Sequence, residues 1–124
     1  MQKVILVVDD DENLRKMAVR LLASFGFSAL AAADTAQTLN LLASERIDAV
    51  LLDVVLGGEN GWETLRRIRL AGAVPVVMMS GATMDQDSEV DASAMEAQAV
   101  LQKPFGAQEL LSCLEGILGA PPAP

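Results

Sequence analysis

The chain has 124 residues, 52% of them hydrophobic, which suits one compact domain with a real core and leaves little room for a second. Seventeen acidic against nine basic side chains give a formal charge of −8, and no basic stripe is present. Direct nucleic-acid binding is therefore not expected, because neutralising phosphates takes clustered Lys and Arg.

Val4-Ile5-Leu6-Val7-Val8 is strand-length and β-branched, and it runs into Asp9 and Asp10. Leu14, Met17, Ala18, Leu21, Leu22 and Phe25 then recur at helical spacing, with Arg15, Lys16 and Arg20 on the other side and Gly26 able to end the helix in a left-handed conformation. A weak strand, Phe27 to Ala32, follows. Asp34 is a good N-cap with Gln37 three residues on, as in a capping box, and predicts a second helix through Ala36, Leu39 and Leu42 that ends near Arg46. Ile47 to Leu52 reads as a buried strand and delivers Asp53. Leu56-Gly57-Gly58-Glu59-Asn60-Gly61 reads as a loop made flexible by three glycines, before a third helix from about Trp62 to Leu70 that Gly72 closes. Val74 to Met79 forms a fourth strand ending on Ser80. The acidic stretch from Gly81 to Ala97 has only a thin apolar stripe and predicts a short helix. Ala99-Val100-Leu101-Gln102 is a fifth strand leading to Lys103. Ala107, Leu110, Leu111, Leu114, Ile117 and Leu118 mark the last helix, stopped by Gly119, and Ala120-Pro121-Pro122-Ala123-Pro124 is a tail or linker stub.

Strands alternating with helices imply one parallel sheet, in which all carboxyl ends emerge on one edge. The pattern fits a doubly wound five-stranded sheet of order 2-1-3-4-5, whose first and third strands flank the switch point where ligands bind. Asp9, Asp10, Asp53, Ser80 and Lys103 then meet in space. Three carboxylates at one place repel one another: two unit charges 4 Å apart interact by about 4 kcal/mol at an effective dielectric of 20. A hard divalent cation such as Mg²⁺ resolves this. With no histidine and one thiol, Cys113, the chain has no usual zinc site and no internal disulfide, so a metal has to be held by oxygen. Asp53 can then act as a nucleophile toward phosphorus, with Lys103 and the Ser80 hydroxyl on phosphoryl oxygens. No apolar run reaches the ~18 residues of a membrane span, and Met1 to Lys3 lead straight into a strand without a signal peptide, so a cytoplasmic location is expected.

Val7-Val8-Asp9-Asp10, Leu51-Leu52-Asp53-Val54-Val55-Leu56, Ser80-Gly81-Ala82 and Lys103-Pro104-Phe105 together make residues 3 to 118 resemble the receiver domains of two-component response regulators, the chemotaxis response regulator type among them. The resemblance implies a flavodoxin-like (βα)5 fold over residues 1–119. It also implies that Asp53 is the phosphoacceptor, Asp10 a direct Mg²⁺ ligand, Asp9 a second acid acting mainly through water, and the Val55 backbone carbonyl a further ligand. Ser80 is then the switch hydroxyl, Lys103 the phosphate-pairing cation, and the Lys103-Pro104 bond cis. The implied donor is a histidine kinase or a histidine phosphotransfer domain, and phosphorylation changes partner affinity. The domain catalyses its own phosphotransfer and dephosphorylation and is not otherwise an enzyme; no nucleic-acid or membrane partner is implied. The chain departs from the pattern at Val100, where receivers commonly carry Tyr or Phe, at Gly57, where Pro is frequent, and at Glu96 and Ala97, in a stretch that commonly holds glycine.

Three other readings use parts of the same pattern. A degenerate receiver would keep the fold and serve only as a docking module, without an acyl phosphate at Asp53. A phosphatase of the haloacid dehalogenase type needs a general acid two residues after its nucleophile, where this chain has Val55. A flavin or nucleotide binder needs a loop of backbone N–H donors after the first strand, where Asp9-Asp10-Asp11-Glu12 would repel phosphate.

Overall fold

The computed structural model describes residues 2–81 and 97–119, so the expected short helix between Gly81 and Ala97 and the tail from Ala120 lie outside the described residues. Five strands form the main sheet: β1 (Val4–Val8), β2 (Ser28–Ala32), β3 (Ala49–Asp53), β6 (Val76–Ser80) and β7 (Ala99–Gln102). All its pairings are parallel and the order is β2-β1-β3-β6-β7, the doubly wound topology expected from the alternation of runs. A separate antiparallel ribbon, β4 (Val55–Leu56) with β5 (Glu59–Asn60), follows β3 directly. Among the described residues the helices are α1 (Glu12–Ser24), α2 (Thr35–Ser44), α3 (Gly61–Ala71) and α4 (Ala107–Leu118).

Alternation along the strands divides the core in two, because successive side chains point to opposite faces of a sheet. Ile5, Val7, Leu51, Val77 and Met79 face one way and pack with Ala18 and Leu22 of α1 and Leu110 and Leu114 of α4. Leu6, Val8, Leu52, Val76 and Met78 face the other way, against Leu65 and Ile68 of α3 and the partly buried Leu39, Leu41 and Leu42 of α2. Every residue of β3 and β6 is buried, as expected for central parallel strands covered on both sides. Each large aliphatic side chain so removed from water contributes roughly 1.5–3 kcal/mol, which holds the strand ends in fixed register.

Helix ends are set locally. Asp11 Oδ1 accepts from the N–H groups of Asn13 at 2.9 Å and Leu14 at 3.3 Å, and Gly26 adopts φ 93° just beyond α1. Asp34 Oδ1 accepts from Gln37 N–H at 2.8 Å, while Gln37 Oε1 accepts from Ala33 N–H at 2.7 Å, one residue short of the regular capping box. Asn60 Oδ1 caps α3 through Trp62 N–H at 2.9 Å.

Three local expectations change. The stretch from Leu56 to Gly61 is no slack loop: Leu56 pairs with Glu59, Val55 with Asn60, and Gly61 already belongs to α3. Gly61 is required by close approach, since a Cβ there would collide with the Asp53 carbonyl oxygen and lie 2.8 Å from Val54 Cα. Met17, expected on the core face of α1, is 47% exposed, and Ala36 of α2 is exposed too. Thr35 and Thr38 take the buried side of α2 instead, Thr35 by bonding Thr64 across the helix interface.

Candidate functional site

The carboxyl ends of β1, β3, β6 and β7 bring the chemistry-bearing residues together. Register alone sets Asp9, just past Val8, beside Asp53, because Val8 pairs with Leu52. Ser80 closes β6 opposite Gln102, and the Lys103 N–H continues that ladder onto the Ser80 carbonyl at 2.6 Å. The adjoining Lys103-Pro104 bond is cis, as the family resemblance implies.

Carboxylate oxygens of Asp9, Asp10 and Asp53 lie within 4.8 Å of one another. Asp9 and Asp53 are buried, whereas Asp10 is exposed at the mouth. Lys103 reaches across the sheet edge and its Nζ donates to Asp9 Oδ2 at 2.7 Å and to Asp53 Oδ2 at 2.9 Å. The outer oxygens are held by backbone: Asp11 N–H donates to Asp9 Oδ1 at 2.9 Å and Val55 N–H to Asp53 Oδ1 at 3.1 Å. Ser80 is buried at the neighbouring strand end. All four expected side chains around Asp53 thus converge on it or on the adjacent strand ends.

Burial pushes the Asp53 carboxyl above its ordinary value, and the Asp9 charge adds to the rise; Lys103 and the Val55 N–H oppose it without cancelling it. For Lys103, burial works to lower the value, but the hydrogen bonds and charges of Asp9 and Asp53 outweigh it and leave the ammonium raised. The pocket thus favours a charged lysine and strains the second carboxylate. A cation with oxygen ligands relieves that strain, and the donor set of three carboxylates fits a hard divalent ion better than a thiol- or imidazole-seeking one.

Two supports escaped the spacing rules. Arg15, expected to face solvent, donates from Nη1 to the Asp9 backbone carbonyl at 2.8 Å and so braces the residue that aligns the pocket. Its signal was only an Arg one turn into an acid-led helix, which is common. Glu59, expected in a loop, accepts from the Thr35 N–H at 3.1 Å across 24 residues, a contact that no local pattern encodes. Of the four acids in the run from Asp9 to Glu12, two serve the pocket and Asp11 serves the helix cap, so the run carries both functions at once.

Two concavities mark the surface, one of them beside the site. A cavity of about 400 Å³ lined by Leu14, Met17, Gly81, Lys103, Pro104 and Phe105 opens beside the lysine. A cleft of about 700 Å³ lies between α2 and α3, lined by Leu39, Ile47 and Val74, and so sits at the opposite sheet edge, away from the acids. Among the described residues no helix is long and apolar enough to cross a membrane.

Fold and site together define a flavodoxin-like α/β domain with an acid pocket, bridged by lysine, at its topological switch point. The response regulator receiver domain model matches residues 5–115, and the chain belongs to this family, the receiver domains of two-component signalling systems. It is similar to the regulatory protein VirG of Agrobacterium fabrum (strain C58 / ATCC 33970), 35% identical over 121 residues that cover 98% of this chain and 48% of that protein. It is also similar to the transcriptional regulatory protein CpxR of Escherichia coli (strain K12), 37% identical over 114 residues, 92% of this chain and 48% of the relative. The chain thus spans about half the length of these relatives. Among solved structures, the Vibrio cholerae chemotaxis protein CheY4 superposes with a TM-score of 0.90 at 26% identity, covering 95% of this chain and 100% of that one.

Proposed function

We propose that residues 1–119 form a phosphoacceptor receiver and that Asp53 takes the phosphoryl group in a Mg²⁺-dependent reaction, with residues 120–124 a tail or linker. The observation that carries this reading is the convergence of three carboxylates within 4.8 Å, spanned by one lysine that contacts two of them. Asp10, Asp53 and the Val55 backbone carbonyl would hold Mg²⁺ directly, and Asp9 mainly through water. When bound, the ion neutralises the pocket and offsets charge on the transferring group.

The donor is the phosphohistidine of a histidine kinase or of a histidine phosphotransfer domain. An Asp53 carboxylate oxygen attacks phosphorus; the new O–P bond forms as the P–N bond breaks, and the electron pair leaves with the imidazole nitrogen, which takes a proton from solvent. Asp53 has to be ionised for this, and Lys103 opposes the burial that would protonate it. Lys103 then exchanges a carboxylate contact for a phosphoryl oxygen, and the Ser80 hydroxyl hydrogen-bonds another. The chain's contribution is positioning and charge compensation. Leu14, Met17, Pro104 and Phe105 offer an apolar rim to the donor ring beside the lysine. The protein acts as a signalling domain in the cytoplasm whose partner affinity changes with phosphorylation. It transfers and loses its own phosphoryl group without turning over a separate substrate, and contacts neither nucleic acid nor membrane directly.

Intact-mass spectrometry after incubation with Mg²⁺ and phosphoramidate tests this. The parent is expected to gain one phosphoryl mass, and Asp53→Asn or added chelator to abolish the gain. A parent that stays unmodified, while a reference receiver in the same tube is labelled, would support a docking-only module instead.

A further inference from the structure

The ribbon that follows Asp53 touches the acid pocket at both ends. Val55 N–H bonds Asp53 Oδ1 at its start, and at its turn Gly57, with φ +58°, lies so close to the pocket that a Cβ there would stand 3.5 Å from Asp10 Oδ2. Opposite this, Val55 pairs with Asn60 and Leu56 with Glu59, so a shift of β4 carries β5 with it. Asn60 ties the ribbon to α3 within two residues. Glu59 makes the long connection, accepting from Thr35 N–H at 3.1 Å.

That N–H is one of the donors that the first turn of a helix leaves unpaired, and the amino end of a helix favours a negative charge. Asp34 satisfies a different donor, Gln37 N–H, and so does not compete for it. Beneath the contact, Thr35 Oγ1 and Thr64 Oγ1 bond at 2.7 Å in a buried site, which keeps the starts of α2 and α3 together. Glu59 is itself exposed, so its carboxylate is free of any packing role.

We propose that Glu59 is a positioning residue that couples occupancy of the Asp53 pocket to the amino end of α2. The inference rests on the Mg²⁺ reading: a cation held by Asp10 and the Val55 carbonyl would act on the ribbon at Val55, its first residue, and beside Gly57, its turn. The Glu59 carboxylate, fixed to the second strand of that ribbon, then changes its bond to Thr35. Cation binding would thereby be reported at the amino end of α2, and the Thr35 bond would in turn steady the ribbon beside the pocket.

The test is a Mg²⁺ titration of ¹⁵N-labelled protein followed by amide chemical shifts, in the parent, Glu59→Gln and Glu59→Ala. In the parent, Thr35 is expected to shift with the same midpoint as Val55 and Asp10. Glu59→Ala is expected to silence Thr35 while Val55 and Asp10 still respond, with affinity weakened roughly threefold, the scale of one lost hydrogen bond. Glu59→Gln keeps an oxygen acceptor and is expected to retain most of the Thr35 response. Thr35 responding equally in Glu59→Ala, or remaining silent in the parent while Val55 shifts, would overturn the coupling. Silence at Asp10 and Val55 as well would overturn the metal reading beneath it, and the coupling with it.

Discussion

Lys103 holds two carboxylates at once, and the consequences appear in how the pocket responds to pH. Asp53 has a folded value above its ordinary 3.8, so its contribution to stability is complete below that value and is lost as pH rises through the folded one. Lys103 has a folded value above its ordinary 10.5, so its contribution is complete below 10.5 and is lost only as pH climbs through the folded value. At neutral pH the metal-free protein therefore keeps the benefit of Lys103 and bears the cost of an ionised Asp53. Asp53→Asn removes that cost while Asp9 still pairs with the lysine. In chelator at neutral pH the variant is expected to melt above the parent. The gap should shrink toward acid, as the parent's carboxyl becomes protonated. Melts followed by circular dichroism across pH check this, and a gap that does not vary with pH would contradict it.

At the scale of elements, the ribbon and the start of α3 matter most, because they hold the backbone on the far side of Asp53. Gly61 N–H bonds the Val54 carbonyl at 2.7 Å, and a side chain there would run into the Asp53 carbonyl oxygen. Gly61→Ala is expected to displace the backbone at Asp53, lower stability by about 2 kcal/mol and weaken Mg²⁺ binding together. Chemical denaturation and a Mg²⁺ titration followed by the fluorescence of Trp62, the single tryptophan, measure the two effects. A stable variant with parental affinity would show that the close approach is not needed. Among the described residues this region was poorly legible in the sequence. Three glycines in six residues look like a flexible loop, and only the backbone shows that Gly57 makes a ribbon turn while Gly61 permits contact. Met17 misled for a different reason: helical periodicity marks an apolar stripe but does not say that its edge lies over a cavity rather than over the sheet.

For the whole molecule, the parallel sheet explains why so much was legible. Val4 to Val8, Ala49 to Leu52 and Val76 to Met79 are unbroken apolar runs because central parallel strands are buried on both faces, and each run ends at a chemistry-bearing residue. Once those strands are parallel neighbours, Asp9, Asp53, Ser80 and Lys103 have to share one edge, which links residues up to 94 positions apart. Arg15 and Glu59 escaped for the complementary reason: their partners are backbone groups, which leave no mark on the sequence. The central claim is that this shared edge makes Asp53 the phosphoacceptor, and borohydride trapping tests it at a single residue. Reduction converts an aspartyl phosphate to homoserine, so after treatment with Mg²⁺ and phosphoramidate the peptide containing position 53 should carry homoserine in the parent and no other peptide should. Homoserine at another aspartate, or an unreduced Asp53 in protein shown by intact mass to be phosphorylated, would contradict the account.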